Sequence, residues 1–178
     1  GRAAQTLARA RTPAILMRGE ALRAGALRDA GRIATNTGAR LFCDTFAPAI
    51  ERGEGTVPVE RIPYFAEQIS EFLAGIDCLI LVGAKPPVAF FAYPDRTSWC
   101  LPEDCAIVHL AHPHEDGPAA LAALADAVHA PPEPGGVTVL DLPPLPMADA
   151  RFNAHTIGQV IARFLPEGAI ISDDGATS

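Results

Sequence analysis

Serine, cysteine and histidine supply the first candidates for chemistry in this chain. Ser70, Ser98, Ser172 and Ser178 each lack the flanking glycines of a G-x-S-x-G nucleophile elbow, so serine hydrolysis has no support here. Cys100 and Cys105 stand close to His109 in sequence, but no neighbouring cation marks either thiol as activated, and packing is the better expectation for both. His109, His112 and His114, followed by Glu115 and Asp116, form a histidine-rich stretch that matches no zinc spacing. No metal ligand is assigned there, and a solvated loop before a helix accounts for the stretch. Two turns carry more weight. Met17-Arg18-Gly19-Glu20-Ala21 leaves an apolar run and opens a helical pattern, and Val82-Gly83-Ala84-Lys85-Pro86-Pro87 closes the most apolar run of the chain. Free N–H groups and the positive end of a helix dipole at such turns can meet a phosphate. Gly19, Gly83, Ala84 and Lys85 are therefore the candidate residues for a dinucleotide, with Lys85 as anion partner. The full G-x-G-x-x-G pattern and the P-loop lysine are both missing.

The elements that hold these turns follow from hydropathy spacing. Residues 14–18 read as a buried strand after Pro13. Glu20 to Thr37 reads as a helix, with Leu22, Ala26, Ala30, Ile33 and Thr37 on one face and Gly38 as its stop. Ala39 to Cys43 reads as the next strand, which completes a βαβ unit whose crossover should be right-handed. The pattern then repeats: a helix over Tyr64 to Ala74, a strand over Cys78 to Val82, a further strand over Val88 to Tyr93 limited by Pro86 and Pro87, a strand over Ala106 to Ala111, and a helix from about Glu115 to His129. Continuous apolar strands fit a parallel sheet covered on both faces. The fold class is α/β, a three-layer αβα Rossmann-like domain with a mainly parallel sheet.

Six prolines and two glycines between Ala130 and Ala150 mark an extended linker over 131–150 after a domain at 1–130. Beyond it, Asn153 to Phe164 has helical spacing and Gly168 to Ser172 begins a strand, the opening of a second domain over 151–178. A chain of 178 residues that begins at Gly1 and stops at Ser178 just after this strand reads as part of a longer polypeptide.

Composition excludes several classes. The net charge is −7, with no Lys or Arg cluster, so phosphate neutralisation on nucleic acid is excluded as a mode of binding. No apolar run approaches the length of a membrane span. Apolar residues make up 49% of the chain, enough for a core that needs no disulfide, so reduced thiols in a cytoplasmic protein are expected.

The first βαβ unit with Pro13-Ala14-Ile15-Leu16 and Gly19, the stretch Tyr64-Phe65-Ala66-Glu67-Gln68, and above all the run from Leu79 through Gly83-Ala84-Lys85-Pro86-Pro87 to Pro94 resemble the thiamine-diphosphate-dependent enzymes of the acetolactate synthase and benzoylformate decarboxylase group. The resemblance covers nearly the whole chain. It implies a central domain, a linker, and the start of a C-terminal diphosphate-binding domain. It further implies a parent enzyme that uses thiamine diphosphate and Mg2+ to decarboxylate or ligate a 2-oxo acid as a homodimer or homotetramer, while the fragment by itself is inert. No catalytic residue is expected within the chain. In the family a glutamate of the pyrimidine-binding domain promotes ylid formation, and it is expected upstream of Gly1. Glu115-Asp116-Gly117 and Asp173-Asp174-Gly175 both depart from the family's Gly-Asp-Gly metal motif. Gly175, Ala176, Thr177 and Ser178 match the strand end that touches the diphosphate, and they are closer to the Thr-Ser of benzoylformate decarboxylase than to the Gly-Gln-His of acetolactate synthases. The resemblance further implies FAD in a structural role where the chain follows the acetolactate synthases, with Gly19, Gly83, Ala84 and Lys85 at the strand ends where it would lie, and none where it follows benzoylformate decarboxylase; with the glycine pattern incomplete, a scaffold without flavin is the favoured expectation. The rival readings are an adenine-nucleotide-binding module of another class, such as an NAD-dependent deacylase or flavoprotein domain, and a purely structural oligomerisation domain.

Overall fold

The computed structural model of the chain describes residues 1–92, 94, 97–147 and 149–172. They divide into two compact units, Gly1–Val139 and Leu140–Ser178.

The first unit is built on a parallel sheet. Its strands are β1 (Pro13–Met17), β2 (Arg40–Cys43), β3 (Glu60–Arg61), β4 (Cys78–Val82) and β5 (Ala106–Ala111), in the spatial order β3-β2-β1-β4-β5. β1 pairs with both β2 and β4, with Ile15 facing Leu41 on one side and Ile80 on the other. All five residues of β1 and of β4 are buried. That follows from their composition, because successive side chains point to opposite faces and each face has its own cover. Ile15, Met17, Leu41, Ile80, Val82 and Val108 pack beneath α1 (Arg2–Arg9), α2 (Ala24–Thr37) and α4 (Gly117–Ala127). Their neighbours Ala14, Leu16, Phe42, Leu79 and Leu81 pack on the other face against Ile69 of α3 (Ala66–Phe72), Leu73 and Leu101. Three layers result, as the sequence implies.

Several local features correct the sequence reading. The first helix does not start at Glu20: Gly19–Leu22 forms a 3₁₀ turn and the α-helix begins at Ala24. It ends where expected, with Gly38 at φ 72° and its N–H on the carbonyl of Ala34. No strand forms over Val88 to Ala92, the described part of the stretch read as a strand up to Tyr93. Val88 makes one isolated antiparallel bridge to Trp99, because Pro86 and Pro87 offer no N–H to a ladder. α1 and the two-residue β3 are additions to the elements read from sequence. β5 carries an irregularity where Leu81 faces His109 but Val82 faces Ala111, so one residue of β5 is extra there.

The proline-rich stretch is not extended throughout. Its first part packs on the first unit: Arg28 and Arg32 of α2 donate to the carbonyls of Pro132 and Pro131, Gly135 N–H donates to Thr35 Oγ1 at 2.7 Å, and Thr138 exchanges backbone bonds with Gly55 and Thr56. The compact unit accordingly runs to Val139, beyond the expected boundary at residue 130.

In the second unit α5 (Ala154–Phe164) forms as expected, capped by reciprocal bonds between Asn153 and Thr156. Gly168 to Ser172, read as the start of a strand, is not in strand conformation, and Ile170 is 95% exposed. A strand requires a neighbour for its backbone groups, and none is paired with this segment among the described residues.

Candidate functional site

The chain leaves β1 toward β2 on one side, and β4 lies on the other. The carboxyl ends of β1 and β4 therefore form the point where the direction of winding reverses, which is where open α/β sheets place ligands. The sequence-expected residues meet there in part. Gly19 follows β1 at φ 64° and Gly83 follows β4 at φ 66°, so both need the left-handed conformation. The two strand ends are joined by Arg18 N–H donating to the carbonyl of Val82 at 3.0 Å, and Gly83 N–H donates to the carbonyl of Ala111 at 2.9 Å. A Cβ on Gly83 would stand 3.0 Å from the carbonyl oxygen of Arg18. The bare face of Gly83 thus receives backbone. A Cβ on Gly19 would meet nothing within 4 Å. Ala84 is buried in the core on the α3 side, so its side chain has no access to a ligand, whereas Lys85 is exposed.

Carboxylates that sequence spacing does not bring to this edge dominate its polar chemistry. The N–H of Ala24, first residue of α2, donates to Glu51 Oε2 at 2.8 Å. Arg18 pairs with Asp44 at 2.7 Å, beyond the ends of β1 and β2. At α4, Asp116 accepts from Ala119 N–H at 2.9 Å, and Glu115 accepts from His112 N–H at 2.6 Å. The His112 hydrogen bond holds the Glu115 carboxyl below the usual carboxylate range. The Ala24 N–H, one of the donors that a phosphate at the start of α2 would use, is thus taken by a carboxylate.

An aromatic cluster lies in the segments that follow β2, β3 and β4. Tyr64 packs edge-on against Phe46, Phe65 and Phe91, with ring centroids 5.1 to 5.8 Å apart, and Phe90 touches Phe46 and Phe91. The pairs Tyr64-Phe65 and Phe90-Phe91 are visible in sequence, but only the parallel sheet brings them together.

The remaining candidates form no site of their own. His109 and His112 stack with centroids 4.8 Å apart, and His112 and His114 stack at 5.9 Å. Imidazole lone pairs lie in the ring plane, so stacked rings do not converge on a shared ion. Among the described residues no group of three His, Cys, Asp or Glu side chains is placed to hold a metal ion. Cys100 is buried, and its Sγ donates to the carbonyl of Ser98 at 3.5 Å. Burial pushes the thiols of Cys78 and Cys105 up to about 11 and raises those of Cys43 and Cys100. Gly175, Ala176, Thr177 and Ser178, the residues expected at a cofactor diphosphate, lie outside the described residues. No described helix is long and apolar enough to cross a membrane.

No protein-family model matches the chain. Its sequence is 43% identical over 164 residues to a Mycobacterium tuberculosis protein described as "Putative acetolactate synthase large subunit IlvX". That match takes in 92% of this chain and 31% of the relative, so the chain spans about a third of the relative's length. Among solved structures, a Rhodococcus jostii RHA1 thiamine diphosphate-dependent 4-hydroxybenzoylformate decarboxylase superposes with a TM-score of 0.61 at 18% identity, covering 94% of this chain and 34% of that one. A thiamin diphosphate-dependent enzyme from Mycobacterium smegmatis, itself titled "putative", superposes with a TM-score of 0.55 at 22% identity, covering 79% of this chain and 30% of that one. These likenesses show the fold. The resemblance read from the sequence thus holds: over nearly its whole length the chain is similar to a segment of an acetolactate synthase large subunit-like protein, and its fold is shared by solved thiamine-diphosphate-dependent enzymes.

Proposed function

We propose that this chain is the Rossmann-like scaffold segment of a longer thiamine-diphosphate-dependent enzyme that decarboxylates or ligates 2-oxo acids. The observation that carries this reading is the 43% identity spread over 92% of the chain. The architecture supports it, since a parallel sheet covered on both faces is a rigid body able to brace neighbouring domains. Bound thiamine diphosphate supplies an electron sink for loss of carbon dioxide from a 2-oxo acid. In this reading Gly175, Ala176, Thr177 and Ser178 would be the residues of this chain that hold the diphosphate when it is bound with Mg2+. Burial raises all four thiols, those of Cys78 and Cys105 to about 11, which argues against a thiolate nucleophile in this reading. No catalytic residue is expected within the 178-residue chain, which by itself is read as inert. The parent is read as a homodimer or homotetramer in the cytoplasm, and four free cysteines suit a reducing compartment.

The test is consumption of pyruvate and of benzoylformate by the full-length parent, with and without thiamine diphosphate and Mg2+. Turnover that requires the cofactor is the expected result, and the preferred substrate separates carboligation from simple decarboxylation. Turnover of either acid that is indifferent to the cofactor would overturn the reading.

A further inference from the structure

We infer that Glu51 occupies the anion-binding pole of α2 and so excludes dinucleotide diphosphates from the crevice between the ends of β1 and β4. α2 starts without a cap of its own. Its N-cap residue is Arg23, whose side chain makes no capping hydrogen bond, and its first turn holds no acidic residue. A guanidinium has no acceptor to offer, so the first N–H groups and the positive end of the dipole are left for another group.

Glu51 fills that role from the segment between β2 and β3. Its own N–H donates to the carbonyl of Leu22 at 3.0 Å, and its Oε2 accepts from Ala24 N–H at 2.8 Å. The two bonds straddle Arg23 and tie the loop to the first turn of the helix. The contact is made across 27 residues of sequence, unlike the cap of α4, which its own Asp116 provides.

A phosphate at a helix N-terminus uses the same N–H groups and the same dipole. Entering here, it must displace a carboxylate that remains tethered beside it by the Leu22 bond, and two like charges then share the pole. Two of the cations nearby are engaged, Arg18 with Asp44 at 2.7 Å and Arg28 with Glu133 at 2.6 Å. On the side where a Cβ of Gly83 would stand, Arg18 O lies 3.0 Å away, so that face of the glycine is turned to backbone. FAD, NAD and ADP belong to the excluded class. The contact involves only the crevice, so its failure would leave the proposed thiamine-dependent chemistry untouched.

The experiment is calorimetric titration of FAD, ADP and inorganic pyrophosphate into the 178-residue chain and into its Glu51→Ala and Glu51→Gln variants. Wild type should show no saturable binding at millimolar ligand. Glu51→Ala should bind pyrophosphate and ADP at least about tenfold more tightly than wild type, with the gain suppressed in about 0.5 M salt. Glu51→Gln keeps an acceptor for Ala24 and loses only the charge. It decides the case if Glu51→Ala fails to fold, and a gain of about threefold is then expected. Micromolar binding of FAD or ADP by wild type would overturn the inference. So would folded variants that bind these anions no better than wild type.

Discussion

The carbonyl oxygen of Arg18 lies 3.0 Å from the point where a Cβ on Gly83 would stand. The ends of β1 and β4 thus approach so closely that one strand's backbone uses the space of the other's missing side chain. Gly83 also sits at φ 66°, which an L side chain rarely adopts. Gly83→Ala should lower stability by about 2 kcal/mol. Gly19→Ala, at φ 64° but with open space around its Cβ, should lose only about 1 kcal/mol. Urea unfolding midpoints of the two variants check the order, and equal losses would contradict the close approach.

Gly31 lies inside α2, where alanine is normally favoured by about 1 kcal/mol. Here a Cβ would come within 2.5 Å of Val57 Cγ2 and 2.8 Å of Pro134 Cβ. Gly31→Ala should therefore destabilise the chain by about 1–2 kcal/mol. A gain in the thermal midpoint would mean that the Pro134 segment is not seated on α2.

Asp77 accepts hydrogen bonds from the N–H groups of Arg11 at 2.7 Å and Thr12 at 3.0 Å, and these, Arg11 first, hold its carboxyl below the usual 3.8. A depressed folded value stabilises the native state above the ordinary carboxylate value. That contribution is lost as pH falls through the lowered folded value. Asp77→Asn should cost stability at neutral pH and have little effect at the lowest pH that keeps the fold. Denaturation midpoints of both proteins across the acid range should converge; parallel curves would show that the two backbone bonds do not perturb the carboxyl.

Cys43, Cys78 and Cys100 are buried and Cys105 is half-buried, with the Cys78 and Cys105 thiols pushed up to about 11. Thiolate is the reactive form, so native protein near pH 8 should react slowly with an aromatic disulfide reagent, Cys105 first. All four should react at once in denaturant. A fast native phase from a buried cysteine would contradict the packing.

The sequence is most legible where hydropathy alone decides. Cys78–Val82 and Ala106–Ala111 are strands at the residues their apolar runs mark, and Gly38 stops α2 through a left-handed φ that glycine favours. α1 escapes because only Ala3 and Leu7 of its eight residues are buried, too few to set a period. β3 escapes because Glu60 and Arg61 are both exposed and carry no strand pattern. The candidate edge is half legible. Gly19 and Gly83 announce two turns, but nothing local announces Glu51, whose role depends on a loop folding back to α2 from across 27 residues. The proline content of 131–150 misleads in a similar way, since Arg28, Arg32 and Thr35 hold its first part by bonds that composition does not encode.

The most direct measurement is titration of thiamine diphosphate into the full-length parent with Mg2+ present, followed by removal of the metal with a chelator. The account predicts saturable binding that is lost with the metal, and no binding by the 178-residue chain alone. A folded parent that binds no thiamine diphosphate would contradict it.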